Sequence, residues 1–194
     1  LQLIESTAFI YGGVDTIETG LGNDIIVGGF DSDIITAQVG ENIPGGDLDG
    51  SNIILGDNGT IDYLDNGDLL SNDIDTIITT AVDEGGVDVI TTGASDDIIL
   101  GGEDSDQINA GHGKNLVLGD NGRITAALSD ANRFGSLPIT LGLVETQHSL
   151  IGGSDLILVG NGDDIVLGGI NEDIIAGSYD SQTGTYLASE GNNI

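Results

Sequence analysis

The sequence predicts an all-β chain of short strands stacked in regular coils, and three observations carry that reading. An acidic or amide residue returns every nine residues in three separate blocks, a large aliphatic residue follows it two positions later, and glycines precede it. The first block holds Asp15, Asp24, Asp33 and Asn42, the second Asp88, Asp97, Asp106 and Asn115, and the third Asp155, Asp164 and Asp173. The aliphatic positions are Ile17, Ile26, Ile35, Ile90, Ile99, Ile108, Val117, Ile157, Val166 and Ile175. Self-similarity at a fixed period marks a repeat architecture, in which each unit buries its apolar side only against its neighbours.

Composition sharpens this. The 194 residues include 33 Gly and 33 acidic side chains against 3 basic ones, for a formal charge of −30, with no Cys, Met or Trp. Such a charge with few aromatics is by itself a signature of disorder. The recurrent pairs Ile25-Ile26, Ile34-Ile35, Ile98-Ile99 and Ile174-Ile175 argue instead for a thin, strand-built core. Nothing basic is available to replace phosphate counterions, which excludes a nucleic-acid partner. No run approaches the roughly 18 apolar residues of a membrane span, and without Cys there is no thiolate metal site. The partner that this charge demands is a cation.

A longer repeat is superimposed on the short one. Leu1-Gln2-Leu3-Ile4-Glu5-Ser6 aligns with Leu141-Gly142-Leu143-Val144-Glu145-Thr146, and the block from Asn52 to Gly59 with that from Asn115 to Gly122. These matches divide the chain into a first repeat cassette (1–59), a short connector (60–73), a second cassette (74–122), a long connector (123–140) and a third, truncated cassette (141–194). The first cassette is the longer, and is expected to hold one extra rung of nine or ten residues. The connectors read as hairpin-like excursions. One turns at Asp65-Asn66-Gly67-Asp68, and the other has strands near 123–129 and 137–147 around a turn at Asn132 to Ser136. Because Asn192-Asn193-Ile194 matches Ser51-Asn52-Ile53, the sequence is expected to be an interior piece that joins further copies of the cassette, in the same chain or in neighbouring subunits.

The nine-residue unit makes chemical sense as half a coil: a six-residue turn followed by a three-residue strand whose central residue points inward. Turns of alternate units then share an edge, which places Asp15 over Asp33, Asp24 over Asn42, Asp88 over Asp106, Asp97 over Asn115 and Asp155 over Asp173. Stacked strands lie about 4.8 Å apart. Two carboxylates at that distance repel by about 0.9 kcal/mol in water and about 3–4 kcal/mol at an effective dielectric near 20. Several such pairs would consume a domain's usual stability of roughly 5–15 kcal/mol, so a cation between turns is required. Calcium suits the task because it accepts six to eight oxygens in irregular geometry, main-chain carbonyls included.

The units resemble the nonapeptide repeats (G-G-x-G-x-D-x-U-x) of the RTX, or repeats-in-toxin, family, over about 11–54, 84–118 and 151–175. The resemblance implies a right-handed parallel β-roll, a β-solenoid that binds calcium between successive turns. It implies a ligand role for Asp15, Asp24, Asp33, Asp88, Asp97, Asp106, Asp155, Asp164 and Asp173, joined by Asn42 and Asn115 as neutral oxygen donors. It further implies a secreted or cell-surface bacterial protein that folds outside the cell. Asp31, Ser95, Asp104 and Asn171 stand where the motif has its second glycine, and are expected to bend their turns differently or to add a ligand. Asp57 and Asp120, in the Gly-Asp-Asn-Gly blocks, are expected to form turns.

No catalytic constellation accompanies these carboxylates. His112 and His148 lack local partners for zinc, and Lys114, Arg123 and Arg133 are expected in local ion pairs. The sequence therefore predicts a non-catalytic calcium-binding structural module, an extender or fibre segment of an adhesin, surface-layer protein or extracellular filament. The alternative is a calcium-dependent glycan-binding module attached to a secreted polysaccharide-modifying enzyme.

Overall fold

A computed structural model describes residues 1–38, 50–64, 73–128 and 132–194. All regular structure among the described residues is β-strand. Two parallel sheets alternate along the chain. The outer sheet contains β2 (Thr16–Glu18), β4 (Ile34–Thr36), β8 (Val89–Thr91), β10 (Gln107–Asn109), β14 (Leu156–Leu158) and β16 (Ile174–Ala176). The inner sheet contains β3 (Ile25–Val27), β5 (Ile53–Leu55), β9 (Ile98–Gly102), β11 (Leu116–Asp120) and β15 (Ile165–Leu167).

The register follows the aliphatic column. In the outer sheet Ile17, Ile35, Ile90, Ile108, Ile157 and Ile175 are successive partners. Ile26, Ile54, Ile99, Val117 and Val166 are successive partners in the inner one. Most of these residues meet in one core between the two sheets, with Ile17 and Val166 packed against it, whereas Ile175 is half exposed. The spacing thus predicts the central residue of every strand in these two sheets except β5, whose Ile54 lies off the nine-residue period.

A second core lies on the other side of the inner sheet. There Ile53, Leu55, Ile98, Leu100, Leu116 and Leu118 pack against Ile61, Ile74, Ile77, Ile124 and Ile139. Of the latter group, Ile61, Ile124 and Ile139 come from the connectors and Ile74 and Ile77 from the start of the second cassette. An antiparallel cover sheet runs in the order β1 (Leu3–Glu5), β6 (Gly59–Asp62), β7 (Thr76–Thr79), β12 (Gly122–Thr125) and β13 (Leu143–Thr146). Inner strands are therefore aliphatic at all three positions, because both faces are covered. In outer strands such as Thr16-Ile17-Glu18 and Gln107-Ile108-Asn109 only the central residue turns inward, Ile108 buried and Ile17 partly buried.

β6 and β12 start the two connectors and pair antiparallel with β7 and β13, but those partner strands lie beyond residues 73 and 140, in the second and third cassettes. The turn at Asp65–Asp68 lies outside the described residues, as does Asn42. The expected extra rung is not present as a strand of either sheet. β4 pairs directly with β8, and β5 directly with both β3 and β9, so no further strand stands between them among the described residues; residues 39–49 lie outside those described. A hairpin of β17 (Ser178–Asp180) and β18 (Thr185–Leu187) leaves the stack at the equivalent turn after β16.

Candidate metal centres along the two edges

The registered aspartates and asparagines line the two edges where the chain crosses between sheets. At the first edge, crossed from inner to outer strand, the backbone N–H of each aspartate donates to Oδ1 of the next one along the stack. The pairs are Asp15 to Asp33 (2.7 Å), Asp33 to Asp88 (2.7 Å), Asp88 to Asp106 (2.8 Å), Asp106 to Asp155 (2.9 Å) and Asp155 to Asp173 (3.0 Å). Six consecutive positions on this aspartate edge are carboxylates.

The second edge repeats the ladder with alternating chemistry. Here Asp24 donates to Asn52 (3.1 Å), Asn52 to Asp97 (2.7 Å), Asp97 to Asn115 (3.1 Å), Asn115 to Asp164 (2.9 Å) and Asp164 to Asn193 (3.0 Å). Four of the five stackings read from the nine-residue spacing hold: Asp15 on Asp33, Asp88 on Asp106, Asp97 on Asn115 and Asp155 on Asp173. For the fifth, Asp24 donates to Asn52, and Asn42 lies outside the described residues. Asn52 and Asn193 are the ladder members that the nine-residue spacing missed.

With Oδ1 occupied by the ladder, the second oxygen decides what an edge can do. Among the described residues, Oδ2 of Asp33, Asp88, Asp106 and Asp155 on the aspartate edge is buried without a hydrogen-bond partner, and so is Oδ2 of Asp24 and Asp164 on the mixed edge. Each of the four on the aspartate edge sits beside a glycine that opens its own turn: Gly28, Gly56, Gly101 and Gly119. A Cβ on any of these would overlap both that Oδ2 and the carbonyl oxygen of the next rung's glycine. Glycine therefore lets a carboxylate and a main-chain carbonyl crowd together, an arrangement of hard oxygens with no donor between them. The mixed edge instead opens its turns with Ala37, Thr92, Ala110 and Val159, buried residues that include three members of the first core.

Burial makes these carboxylates costly as anions. It holds Asp88 and Asp155 up at about 7, against an ordinary 3.8, with the like charges of neighbouring aspartates adding to the shift. Asp106 is pushed well above its usual value for the same reasons, and Asp33 and Asp164 are also raised, chiefly by burial. The backbone ladder bonds oppose the shift in each case.

Asp57 and Asp120 have a different job. Asp57 accepts from the Gly86 and Glu103 N–H groups, and Asp120 from those of Gly153 and Ile170. They stand where the excursions leave the aspartate edge, and each pins the returning chain to the following turn. Burial raises the Asp57 carboxyl to about 8 despite both bonds.

Asp31, Asp104 and Asn171 have φ of 72°, 64° and 73°, so they adopt the left-handed conformation that a glycine would have supplied. His112 is exposed and accepts the Asn161 N–H through Nδ1 at 3.0 Å, and His148 is exposed. Arg123 pairs with Glu145 as expected, whereas Lys114 lies over the Phe134 ring at 5.0 Å.

Among the described residues no three or more His, Cys, Asp or Glu side chains converge on one point. Any cation must then be held by one or two carboxylates together with main-chain carbonyls, as calcium allows. The unpartnered Oδ2 atoms and the glycine carbonyls beside them fit that requirement. The sequence also matches the RTX calcium-binding nonapeptide repeat in four copies, over residues 9–44, 72–108, 82–117 and 151–178, more than half the chain. The chain belongs to the RTX calcium-binding nonapeptide repeat family. Repeats of this family bind calcium, and they are structural, generally non-catalytic units. No curated protein and no solved structure matches this RTX chain.

Proposed function

We propose that this RTX chain is a non-catalytic, right-handed parallel β-roll that folds on binding calcium and serves as an extender or fibre segment of a secreted bacterial protein. The observation that carries the reading is the row of buried, unpartnered Oδ2 atoms on Asp33, Asp88, Asp106 and Asp155. Stacked without a cation, these carboxylates hold the fold only as protonated acids. With calcium between turns, the same oxygens become ligands and each ion ties one rung to the next.

The proposed ligands are Asp15, Asp33, Asp88, Asp106, Asp155 and Asp173 on the aspartate edge, with Asp24, Asp97, Asn115 and Asp164 on the mixed edge. RTX repeats occur in secreted bacterial proteins, where extracellular calcium is plentiful. The extender role is supported by the joints between cassettes. β4 pairs with β8 and β10 with β14 in the same way as strands within a cassette, so the sheets run through each excursion unbroken. Further cassettes could continue these sheets in the same manner.

The test is a calcium titration of the chelated chain followed by circular dichroism and light scattering. The reading expects β structure to form with calcium and chains to associate end to end as it forms. Folded, strictly monomeric protein at high concentration would refute the extender role while leaving calcium-driven folding intact.

A further inference from the structure

The roll turns two sheet faces outward, and they differ in charge. On the cover sheet, Ile4, Ile61, Ile77, Ile124 and Val144 face the second core, which leaves Glu5, Asp62, Arg123 and Glu145 on the open side. Four of its five strands therefore carry an ionisable side chain outward. On the outer sheet the central residue of each strand turns inward, so the two residues that flank it lie on the open side. Of these twelve positions (two on each of six strands), only Glu18, on the end strand β2, is ionisable.

The outer-sheet face is also partly apolar. Ile34, Val89 and Ile174 are 46 %, 37 % and 44 % exposed. The register joins them with Leu156 in one column, interrupted only by Gln107. A shallow groove of about 180 Å³ crosses β8, β10 and β14 and is lined by Val89, Thr91, Gln107, Asn109, Leu156 and Leu158. The matching side of the inner sheet is sealed by the cover sheet, whereas no sheet among the described residues covers the outer one.

Charge decides what can lie there. The chain carries 33 acidic side chains against 3 basic ones. Both edges hold stacked carboxylates, and the open side of the cover sheet holds three acids with one Arg. A second copy that approaches by any of these sides sets like charges against each other, which opposes association. On the outer-sheet face two copies meet without that penalty and remove apolar surface from water. A cationic partner gains nothing there and is drawn to the edges. The surface that matches this uncharged face in length and twist is the same face of another copy.

We propose that the open face of the outer sheet is a lateral interface between two copies of this chain, packed sheet on sheet. Six strands about 4.8 Å apart, each of three residues at about 3.3 Å, give a face of about 29 by 10 Å, roughly 300 Å² on each copy. That is well under the ~1,200 Å² in total of a stable interface, so a single pair is short-lived and contact accumulates with each further cassette laid alongside. The inference rests on the roll reading above but not on end-to-end association. Copies stacked end to end keep their β8 strands at least about 29 Å apart, whereas packed faces bring them to about 10 Å.

The experiment uses the full chain in calcium, and the absence of Cys lets one introduced thiol report one position. Val89→Cys, on the middle strand β8, is compared with Leu128→Cys, which is 80 % exposed on the long connector. With a short thiol-specific cross-linker at high protein concentration, Val89→Cys should form dimers at least tenfold faster than Leu128→Cys. Adding Gln107→Glu, which sets like charges at the centre of both faces, should slow the Val89→Cys reaction about tenfold with the circular-dichroism spectrum unchanged. Thr91→Cys on the same strand should behave as Val89→Cys does, which keeps the test decisive if the latter fails to fold. Light scattering on the same samples reads end-to-end growth separately, and its absence would leave the cross-linking expectation as it is. Equal rates at positions 89 and 128, or a rate indifferent to Gln107→Glu, would overturn the proposal and leave the face to a partner of other chemistry.

Discussion

The two edges of the stack share one backbone ladder and differ in one atom. On the aspartate edge all six positions are Asp, whereas the mixed edge alternates Asp24, Asn52, Asp97, Asn115, Asp164 and Asn193. Oδ1 accepts the neighbouring N–H equally well from either residue type, at 2.7–3.1 Å throughout. The other atom of the group separates them. In Asn it is a nitrogen, which in Asn52 donates to the Gly50 carbonyl and in Asn193 to Ser189 Oγ. In Asp33, Asp88, Asp106 and Asp155, as in Asp24 and Asp164 of the mixed edge, it is a buried oxygen with no donor to meet among the described residues. Holding the rungs in register is therefore work for any Asp or Asn, while attracting a cation is work for the carboxylate alone.

The largest difference between the edges should come from the first residue of the turn. Gly101→Ala places a methyl group on the Gly119 carbonyl and on Asp106 Oδ2. We expect it to abolish calcium-driven folding or to raise the calcium midpoint by more than tenfold in a circular-dichroism titration. Ala110→Gly, at the corresponding turn position of the mixed edge, removes only a small buried group and adds chain entropy, at a cost of about 1 kcal/mol. Comparable losses in the two variants would show that the edges are not built differently.

Exchanging the ladder residues should produce smaller effects of opposite sign. Asp106→Asn keeps the acceptor for Asp88 N–H but loses the charged oxygen, and should raise the calcium midpoint by about tenfold, the equivalent of roughly 1.4 kcal/mol. Asn115→Asp should lower the midpoint, while making the calcium-free chain less stable at neutral pH through an added buried charge. Isothermal titration of both variants checks this. Equal, same-direction shifts would mean that the carboxylates act only as a diffuse charge.

The pH dependence follows from burial of the aspartate edge. Asp88 and Asp155 titrate near 7 in the folded chain, and Asp57 near 8, against 3.8 for an exposed aspartate. Without calcium, the folded state therefore keeps protons that the unfolded state releases. Its stability is greatest below about pH 4 and is lost as pH rises through 7 to 8. With calcium the metal displaces those protons, so affinity should strengthen across the same window, by up to about tenfold per pH unit for each proton released. Chelated protein at pH 5 should then hold more β structure than at pH 8, while calcium midpoints move the other way. A chelated chain that is more stable at pH 8 would contradict the account.

How much was legible in the sequence also differs by region. Within an uninterrupted block the nine-residue period predicts both the inward residue and the stacked partner, as for Asp88 with Asp106 and Asp97 with Asn115. It says nothing about partners across an excursion, such as Asp33 with Asp88 or Asp106 with Asp155, because the intervening residues leave the coil and break the period. The cover sheet was half visible: its hairpins carried turn signals, but its core was not anticipated. The signal for that core was the all-aliphatic triplets Ile53-Ile54-Leu55, Ile98-Ile99-Leu100 and Leu116-Val117-Leu118, set against Thr16-Ile17-Glu18.

The central claim is that carboxylates on the aspartate edge require calcium to remain stacked as anions. It is tested most directly by far-ultraviolet circular dichroism of the full chain at pH 8, first in chelator and then through millimolar calcium. The account predicts a largely unfolded chain in chelator and a cooperative gain of β structure with calcium. A β-rich spectrum of the same intensity in chelator and in calcium would contradict it.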